Sequence, residues 1–248
     1  MKGSAEKAVA LDPASSQAWT ELGYTKSNDL DWAGAEEAFR KAVALGPNNA
    51  QAHEGLGELL DAIGHLEEGW KEFEVAQELD PQFNHLSDPL YRRGDYDRAI
   101  DLRRTLKDPY GDAIQHYGLS QSYALKGMYK EWADELNETL TLMGFPESAR
   151  RIQQAFATSG YLGARRQEAR EFERWFASNQ DYSPCVLAEI YTAVGDKDRA
   201  FYWLEHGIEH HRLAMNDDLN WFKVVPELAP LHGDPRFKEL LRRAGLPP

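Results

Sequence analysis

The sequence has one cysteine and no long hydrophobic run, which argues against a disulfide-rich protein and against a membrane-spanning one. The one cysteine, Cys185, excludes an internal disulfide framework. No run of about 18 apolar residues is present, so we expect no membrane span and no membrane partner. The first residues, MKGSAEKAVALDP, lack the apolar core of a signal peptide. We therefore predict a soluble, cytoplasmic protein.

Basic residues are scarce as well. The chain has 28 Lys and Arg against 41 Asp and Glu, for a formal net charge of −13, and residues 1–83 contain 6 basic but 16 acidic side chains. Such a charge repels phosphate backbones, so we expect no nucleic-acid partner. Basic pairs such as Arg165-Arg166 have acidic neighbours and are expected to lie on a solvated surface. Hydrophobic residues make up 42% of the chain, which is enough for a packed core.

The common catalytic motifs are also missing. The sequence contains no P-loop, no Rossmann fingerprint and no G-x-S-x-G. Cys185 follows Pro184 on a predicted helix, and no motif places a His or Asn beside it, so we predict a structural thiol that is at least partly buried. We therefore expect a protein without enzymatic activity and without a cofactor.

What the sequence does contain is a repeat. KAVALDP at residues 7–13 and KAVALGP at residues 41–47 match at six of seven positions. VAQELDP at residues 75–81 follows the second copy at the same separation. A fixed period of this size indicates stacked structural repeats.

The residues between these segments resemble the tetratricopeptide repeat, a helical hairpin of about 34 residues. Small residues such as Gly23 and Ala35 allow the two helices of a hairpin to approach, and aromatic residues such as Phe39 fill the space between them. The resemblance implies an all-α fold, a right-handed superhelix of about six hairpins with a C-terminal capping helix. The matching residues are Trp19, Leu22, Gly23, Ala35, Phe39 and Ala42 in one period, and His53, Leu56, Gly57, Gly69, Phe73 and Ala76 in the next.

We predict one continuous domain over residues 1–248. The unit at 84–112 should be irregular, because Gly94 at its inter-helix turn follows the helix start at Asp88 by only six residues. A turn is expected at Gly160. The predicted parts are a half unit at 1–15, units near 16–49, 50–83, 84–112, 113–146, 147–180 and 181–214, and a cap at 215–248.

The first helical segment lacks the helix that would precede it in a full unit. Each unit buries its apolar face against a neighbour, so an incomplete unit leaves an exposed edge. We expect either that the chain is a fragment of a longer protein or that this N-terminal edge pairs with a second copy in a homodimer.

The C-terminal part has a second resemblance. GDKDRAF at residues 195–201, DPRF at 234–237 and RAGLP at 243–247 are similar to the C-terminal region of a group of bacterial regulators. In that group a helical repeat array follows a winged-helix DNA-binding domain or a serine/threonine kinase. The resemblance implies an alternative function, the sensor or regulatory segment of a larger regulator. No HRD or DFG triplet occurs here, so neither phosphoryl transfer nor DNA binding is assigned to any residue.

The segment HGIEH, residues 206–210, matches H-x-x-E-H, a motif that can place two zinc ligands and a general base on one helix. In the repeat it lies late in a second helix, with Gly207 at the small position. We predict solvated or partner-facing histidines and keep a zinc-dependent hydrolase as a less favoured alternative. Candidate third ligands are Glu205, Asp217 and Asp218.

First helices of such hairpins line the concave face of the superhelix, and their outward positions form the predicted binding groove. The lysine and asparagine set with which some tetratricopeptide proteins hold a C-terminal carboxylate is missing, and acidic residues replace it. We predict that the groove binds a peptide or a basic or amphipathic helical segment; the alternative is an acidic surface that serves only solubility. The predicted partner-binding residues are Gln17, Thr20, Tyr24, Asn28, Gln51, Glu54, Glu58, Asp61, Tyr117 and Gln121, with later positions at Arg150, Gln154, Tyr182 and Glu189.

Overall fold

Every regular element of the computed structural model is a helix, within the residues that it describes: 2–81, 86–105, 112–178, 183–210 and 221–247. The predicted all-α class is confirmed. The helices are α1 Lys2–Leu11, α2 Ser16–Asn28, α3 Trp32–Leu45, α4 Ala50–Ala62, α5 Leu66–Leu79, α6 Ser87–Arg92, α7 Tyr96–Thr105, α8 Asp112–Leu125, α9 Tyr129–Leu142, α10 Pro146–Ser178, α11 Pro184–Ala193, α12 Lys197–His210, a 3-10 helix Pro226–Leu231 and α13 Pro235–Arg243.

Side-chain caps fix where several of these helices begin. The Ser15 hydroxyl accepts the backbone N–H of Ala18 at the start of α2, and Asn49 accepts that of Ala52 at the start of α4. These bonds satisfy amide groups that have no partner inside the helix. The two caps are one repeat period apart, so the sequence period sets the helix starts.

The helices pack as hairpins because aromatic rings of second helices lie against glycines of first helices. A Cβ placed on Gly23 would come within 2.7 Å of the Phe39 ring, which also contacts the backbone at Gly55. In the next hairpin, a Cβ on Gly57 would lie 2.9 Å from Phe73. The ring occupies the space that a larger residue would need. This is the packing that the tetratricopeptide pattern predicts.

One hydrogen bond recurs with the period although the side chain changes. The Trp19 indole N–H donates to the carbonyl of Pro13 at 2.9 Å. The equivalent position holds His53, whose Nε2 lies 3.1 Å from the carbonyl of Pro47. Because a carbonyl can only accept, the Nε2 of His53 is the donor. Histidine thus takes the bond that tryptophan makes one unit earlier.

Two units depart from the regular hairpin where glycines break the helical pattern. The short helix α6 ends before Gly94, whose φ of 81° lies in the left-handed region, as the early glycine predicts. In α10 the helical path is interrupted at Gly160, with φ 65° and ψ −166°, so that the helix consists of two arms.

A carboxylate links the two arms of α10. Glu171 of the second arm, with a side chain 1% exposed, accepts two hydrogen bonds from the guanidinium of Arg151 in the first arm, at 2.8 and 2.9 Å. The Ser148 hydroxyl of the first arm and the Gln167 amide of the second donate to the same carboxylate at 2.9 and 2.6 Å. These hydrogen bonds lower the pKa of Glu171 to about 2, and the bond from Arg151 has the largest effect.

The described residues form two compact units. Unit 1 contains those of 1–85, 210–224 and 235–248, and unit 2 contains those of 86–209 and 225–234. The single continuous domain and the handedness of the superhelix stay predictions. None of the described helices is long and apolar enough to cross a bilayer.

Unit 1 joins segments that are distant in sequence. The Trp32 indole N–H donates to the carbonyl of Ala244, 212 residues away, at 2.9 Å. The Lys223 ammonium donates to the carbonyls of Ile63 and Pro247, at 2.9 and 2.7 Å. The C-terminal segment therefore lies against the first two hairpins.

Candidate functional site

Predicted groove residues of the first two hairpins come together on one surface of unit 1. The Gln17 amide donates to the Glu21 carboxylate at 3.0 Å and to the side-chain oxygen of Gln51 at 3.1 Å, so α2 and α4 are joined on this side. We call this surface the acidic face. It consists of Gln17, Glu21, Tyr24, Gln51, Glu54 and Glu58.

Tyr24 lies at the centre of the acidic face. Its ring packs edge-on against Phe39, with centroids 5.0 Å apart, and its hydroxyl donates to the backbone carbonyl of Gln51 at 3.4 Å. Burial raises the pKa of the Tyr24 hydroxyl, and the negative charges of Glu58, Glu54 and Glu21 raise it further. Three carboxylates therefore act on one neutral phenol.

Two predicted groove positions are wrong, because their side chains do not reach the surface. Thr20 is fully buried, and its hydroxyl donates to the carbonyl of Ser16 at 3.0 Å and accepts from the amide of Asn49. Asp61 is also fully buried, with a carboxylate oxygen packed against Gly69 of the second helix. Both side chains point into the hairpin packing. Asn28 is half-buried near the end of α2.

The remaining predicted residues, Tyr117 and Gln121, belong to a different site. They line a partly open cavity of about 210 Å³ in unit 2, which we call the unit 2 cavity. Gln121 donates to the Glu189 carboxylate at 3.2 Å, so the structure brings together three groove predictions from two hairpins. The polar and aromatic lining includes Tyr117, Gln121, Tyr161, Arg165, Glu189 and Glu227.

Arg165 corrects the prediction of a solvated basic pair. Its side chain is 9% exposed, it forms a 2.8 Å ion pair with Glu168, and its guanidinium lies 5.6 Å from the centre of the Trp132 ring. Burial opposes the charge on Arg165, but Glu168 and neighbouring groups hold its pKa above the usual range. Burial also raises the pKa of Glu168. The sequence could not place Arg165 and Glu168 in a cavity wall, because opposite charges three residues apart on a helix have the same spacing whether they are exposed or buried.

Glu227 is the second residue of the cavity that the sequence did not indicate. One carboxylate oxygen, Oε1, accepts the hydroxyl hydrogen of Tyr91. The other oxygen, Oε2, is buried and has no hydrogen-bond partner among the described residues. Burial raises the pKa of the Glu227 carboxyl despite the nearby positive charge of Arg165. Glu227 follows Pro226 in the 3-10 helix, outside the repeat, where no periodic pattern marks an inward position.

The HGIEH segment lies on α12. The His206 ring packs edge-on against Phe176 and Trp203, with centroids 5.2 and 5.8 Å away, and Gly207 is buried. Within the described ranges, no group of three His, Cys, Asp or Glu side chains could hold a metal ion. Tyr182, Asp217, Asp218 and the side chain of His210 lie outside the described residues.

Cys185 is fully buried on α11, which confirms the predicted burial of this thiol. A buried thiol in a helix is packed like a small apolar side chain.

Neither a family model nor a curated protein matches this sequence. Among solved structures, the chain is similar to the crystal structure of the TPR domain of P58(IPK), with 14% sequence identity over 97% of this chain and 90% of that one, at a TM-score of 0.30. The two chains do not superpose closely at that score. The helical hairpins themselves are seen in the packing of Phe39 and Phe73 against glycines of neighbouring helices.

Proposed function

We propose that this chain is a non-catalytic protein-interaction module, and that its acidic face binds a basic or amphipathic helical segment of a partner protein. The observation that carries the proposal is the grouping of Glu21, Glu54 and Glu58 around the Tyr24 side chain. Carboxylates at an interface favour Lys and Arg on the partner and disfavour acidic segments.

The construction of the face supports this role. Its residues stand on two helices that the Phe39 ring packs together, so their positions are fixed before a partner arrives. A fixed surface loses less conformational entropy on binding than a loop does. Tyr24 supplies an aromatic contact for an apolar side chain, while the surrounding carboxylates contact basic ones.

The test is a pull-down from a lysate of the native host with three baits: the unchanged chain, the Glu21→Lys, Glu54→Lys, Glu58→Lys variant, and a control. The control is Glu37→Lys, Glu74→Lys, Glu78→Lys, which makes the same change in charge at exposed positions of α3 and α5. We expect a partner that the unchanged chain and the control retain and the face variant loses. Equal retention by all three baits would place the binding site elsewhere.

One of the C-terminal motifs that resemble those of bacterial regulators, GDKDRAF, has a structural explanation within unit 2. Lys197 of GDKDRAF donates to the carbonyl of Pro230 at 3.1 Å, and Asp196 accepts the backbone N–H of Arg199 at 3.1 Å. These bonds position α12 and the 3-10 helix, so the motif has a role in folding. The regulatory role and the zinc hydrolase stay alternative hypotheses.

A further inference from the structure

We propose that the unit 2 cavity binds an alkylammonium group, a protonated primary amine on a short aliphatic stem. This site is separate from the acidic face, since every described residue that lines it belongs to unit 2.

The first argument is charge. The charged side chains among the described lining residues are Arg165, Glu189 and Glu227. The positive charge of Arg165 is already balanced by Glu168 in a buried ion pair at 2.8 Å. The described lining contains no second Lys or Arg for Glu227, and a ligand with one positive charge would supply that charge. Ionised groups out of water need such compensation.

The second argument is an unsatisfied acceptor. Glu227 Oε2 is buried without a hydrogen-bond partner among the described residues, although Oε1 of the same carboxylate accepts from Tyr91. Buried polar atoms in folded proteins are nearly always paired. Burial raises the pKa of the Glu227 carboxyl, and a cation beside it would favour the ionised form. An ammonium group carries three N–H donors and would supply both the bond and the charge.

The third argument is the rest of the lining. Tyr129 and Tyr161 stack with centroids 4.1 Å apart, and with Ala124 and Leu125 they give the cavity an aromatic and apolar part. Aliphatic carbons pack against such rings, and the ring faces attract cations. A volume of 210 Å³ equals roughly seven water molecules in the liquid, which suits a short alkylamine.

Two sources could supply this chemistry, a free amine or the lysine side chain of another protein. Isothermal titration calorimetry on the whole chain tests whether an alkylammonium group binds at all, and whether a free amine or a lysine side chain binds more tightly. The probes are n-butylamine, with 1-butanol and butyrate as neutral and anionic controls of similar size. A second pair of probes is 1,5-diaminopentane, a free diamine, and acetyl-Gly-Lys-Gly-amide, which presents a lysine side chain.

We expect n-butylamine to bind and both 1-butanol and butyrate not to bind. Glu227→Gln keeps an acceptor for Tyr91 but removes the charge, and should weaken butylamine binding at least tenfold; Glu189→Gln should weaken it as well. Glu138→Gln, an exposed position on α9, removes the same charge and should leave the affinity unchanged. Thermal unfolding of each variant checks that it is folded.

Absence of butylamine binding to the unchanged chain, or equal affinity in Glu227→Gln and Glu138→Gln, would overturn the proposal. Tighter binding of the diamine than of the lysine peptide identifies a free amine as the source, and the reverse order identifies a protein side chain. Lysine substitutions at Glu21, Glu54 and Glu58 should leave butylamine binding intact, so this result and that of the acidic face are independent.

Discussion

At the scale of single residues, the repeat period identifies the residues that pack between helices, but it does not identify the polar residues that face solvent. Gly23, Phe39 and Phe73 fill the roles expected from their spacing, because close helix approach requires those sizes at those positions. Thr20 and Asp61 were expected in the groove and are fully buried. A rotation of a helix by a fraction of a turn decides between these outcomes, and a polar residue type does not report that rotation.

Replacement of Gly23 by alanine tests this packing. The added methyl group would lie 2.7 Å from the Phe39 ring, which also rests on the backbone at Gly55 and has little space to move. Overpacking of this kind lowers the free energy of unfolding by about 1 to 3 kcal/mol. Urea denaturation measures the loss. Gly3→Ala is the matched control, because nothing lies within 4 Å of a Cβ there, and it should be neutral or slightly stabilising.

At the scale of elements, the sequence predicts where the hairpin pattern is interrupted. It does not predict the side-chain contacts that join the segments on either side of an interruption. Gly94 and Gly160 mark the short α6 and the interrupted α10 because glycine adopts the left-handed backbone conformation found at both. The linkage of the two α10 arms by Glu171 was not predicted. Many carboxylates and arginines are available in this chain, and spacing alone does not pair Glu171 with Arg151 on the other arm.

The Glu171 linkage should make stability depend on pH. The pKa of Glu171 is about 2 in the folded chain against a usual 4.5, so its contribution is present above about pH 4.5 and is lost as the pH falls toward 2. Glu171→Gln should lower the free energy of unfolding by about 2 kcal/mol at pH 7, a value reduced to allow for solvent screening of the partly exposed Arg151. Urea denaturation should show a smaller difference in the free energy of unfolding between the parent and Glu171→Gln at pH 3.5 than at pH 7.

Glu147→Gln provides the control for that experiment. Glu147 lies in the first arm of α10, its side chain is 65% exposed, and its partner Arg150 is exposed as well. Exposed pairs contribute little, so this variant should match the unchanged chain at both pH values. An unchanged gap between Glu171→Gln and the parent at pH 3.5 would contradict the assigned role of Glu171.

At the scale of the whole molecule, the helical class follows from the sequence, while the long-range contacts do not. Repeat periodicity reports contacts between neighbours in the chain. It contains no signal for the bond from Trp32 to Ala244, since the C-terminal segment is outside the repeat. The unit 2 cavity was predicted only in part, because its wall also includes Pro226, Glu227 and Pro230 of the 3-10 helix, which lies outside the repeat.

Substitution of Trp32 by phenylalanine tests the contact between the distant segments of unit 1. It keeps an aromatic ring but removes the indole N–H and leaves the Ala244 carbonyl without that bond. The loss should be about 1 to 2 kcal/mol, and amide hydrogen exchange in α13 should become faster. Trp19→Phe removes an equivalent bond to nearby Pro13 and should leave α13 unchanged. Equal exchange in α13 for both variants would show that the Trp32 bond does not secure it.

The contact of the C-terminal segment with Trp32 and Lys223 has a consequence for the order in which the chain is made. The first two hairpins leave the ribosome early, but Ala244, the acceptor for Trp32, is added 212 residues later. At roughly 5 to 20 residues per second, that interval is on the order of 10 to 40 seconds. During translation these hairpins must therefore persist, or be protected by a chaperone, with one face of their packing unfinished, and unit 1 reaches its final stability only once the C-terminal segment has emerged.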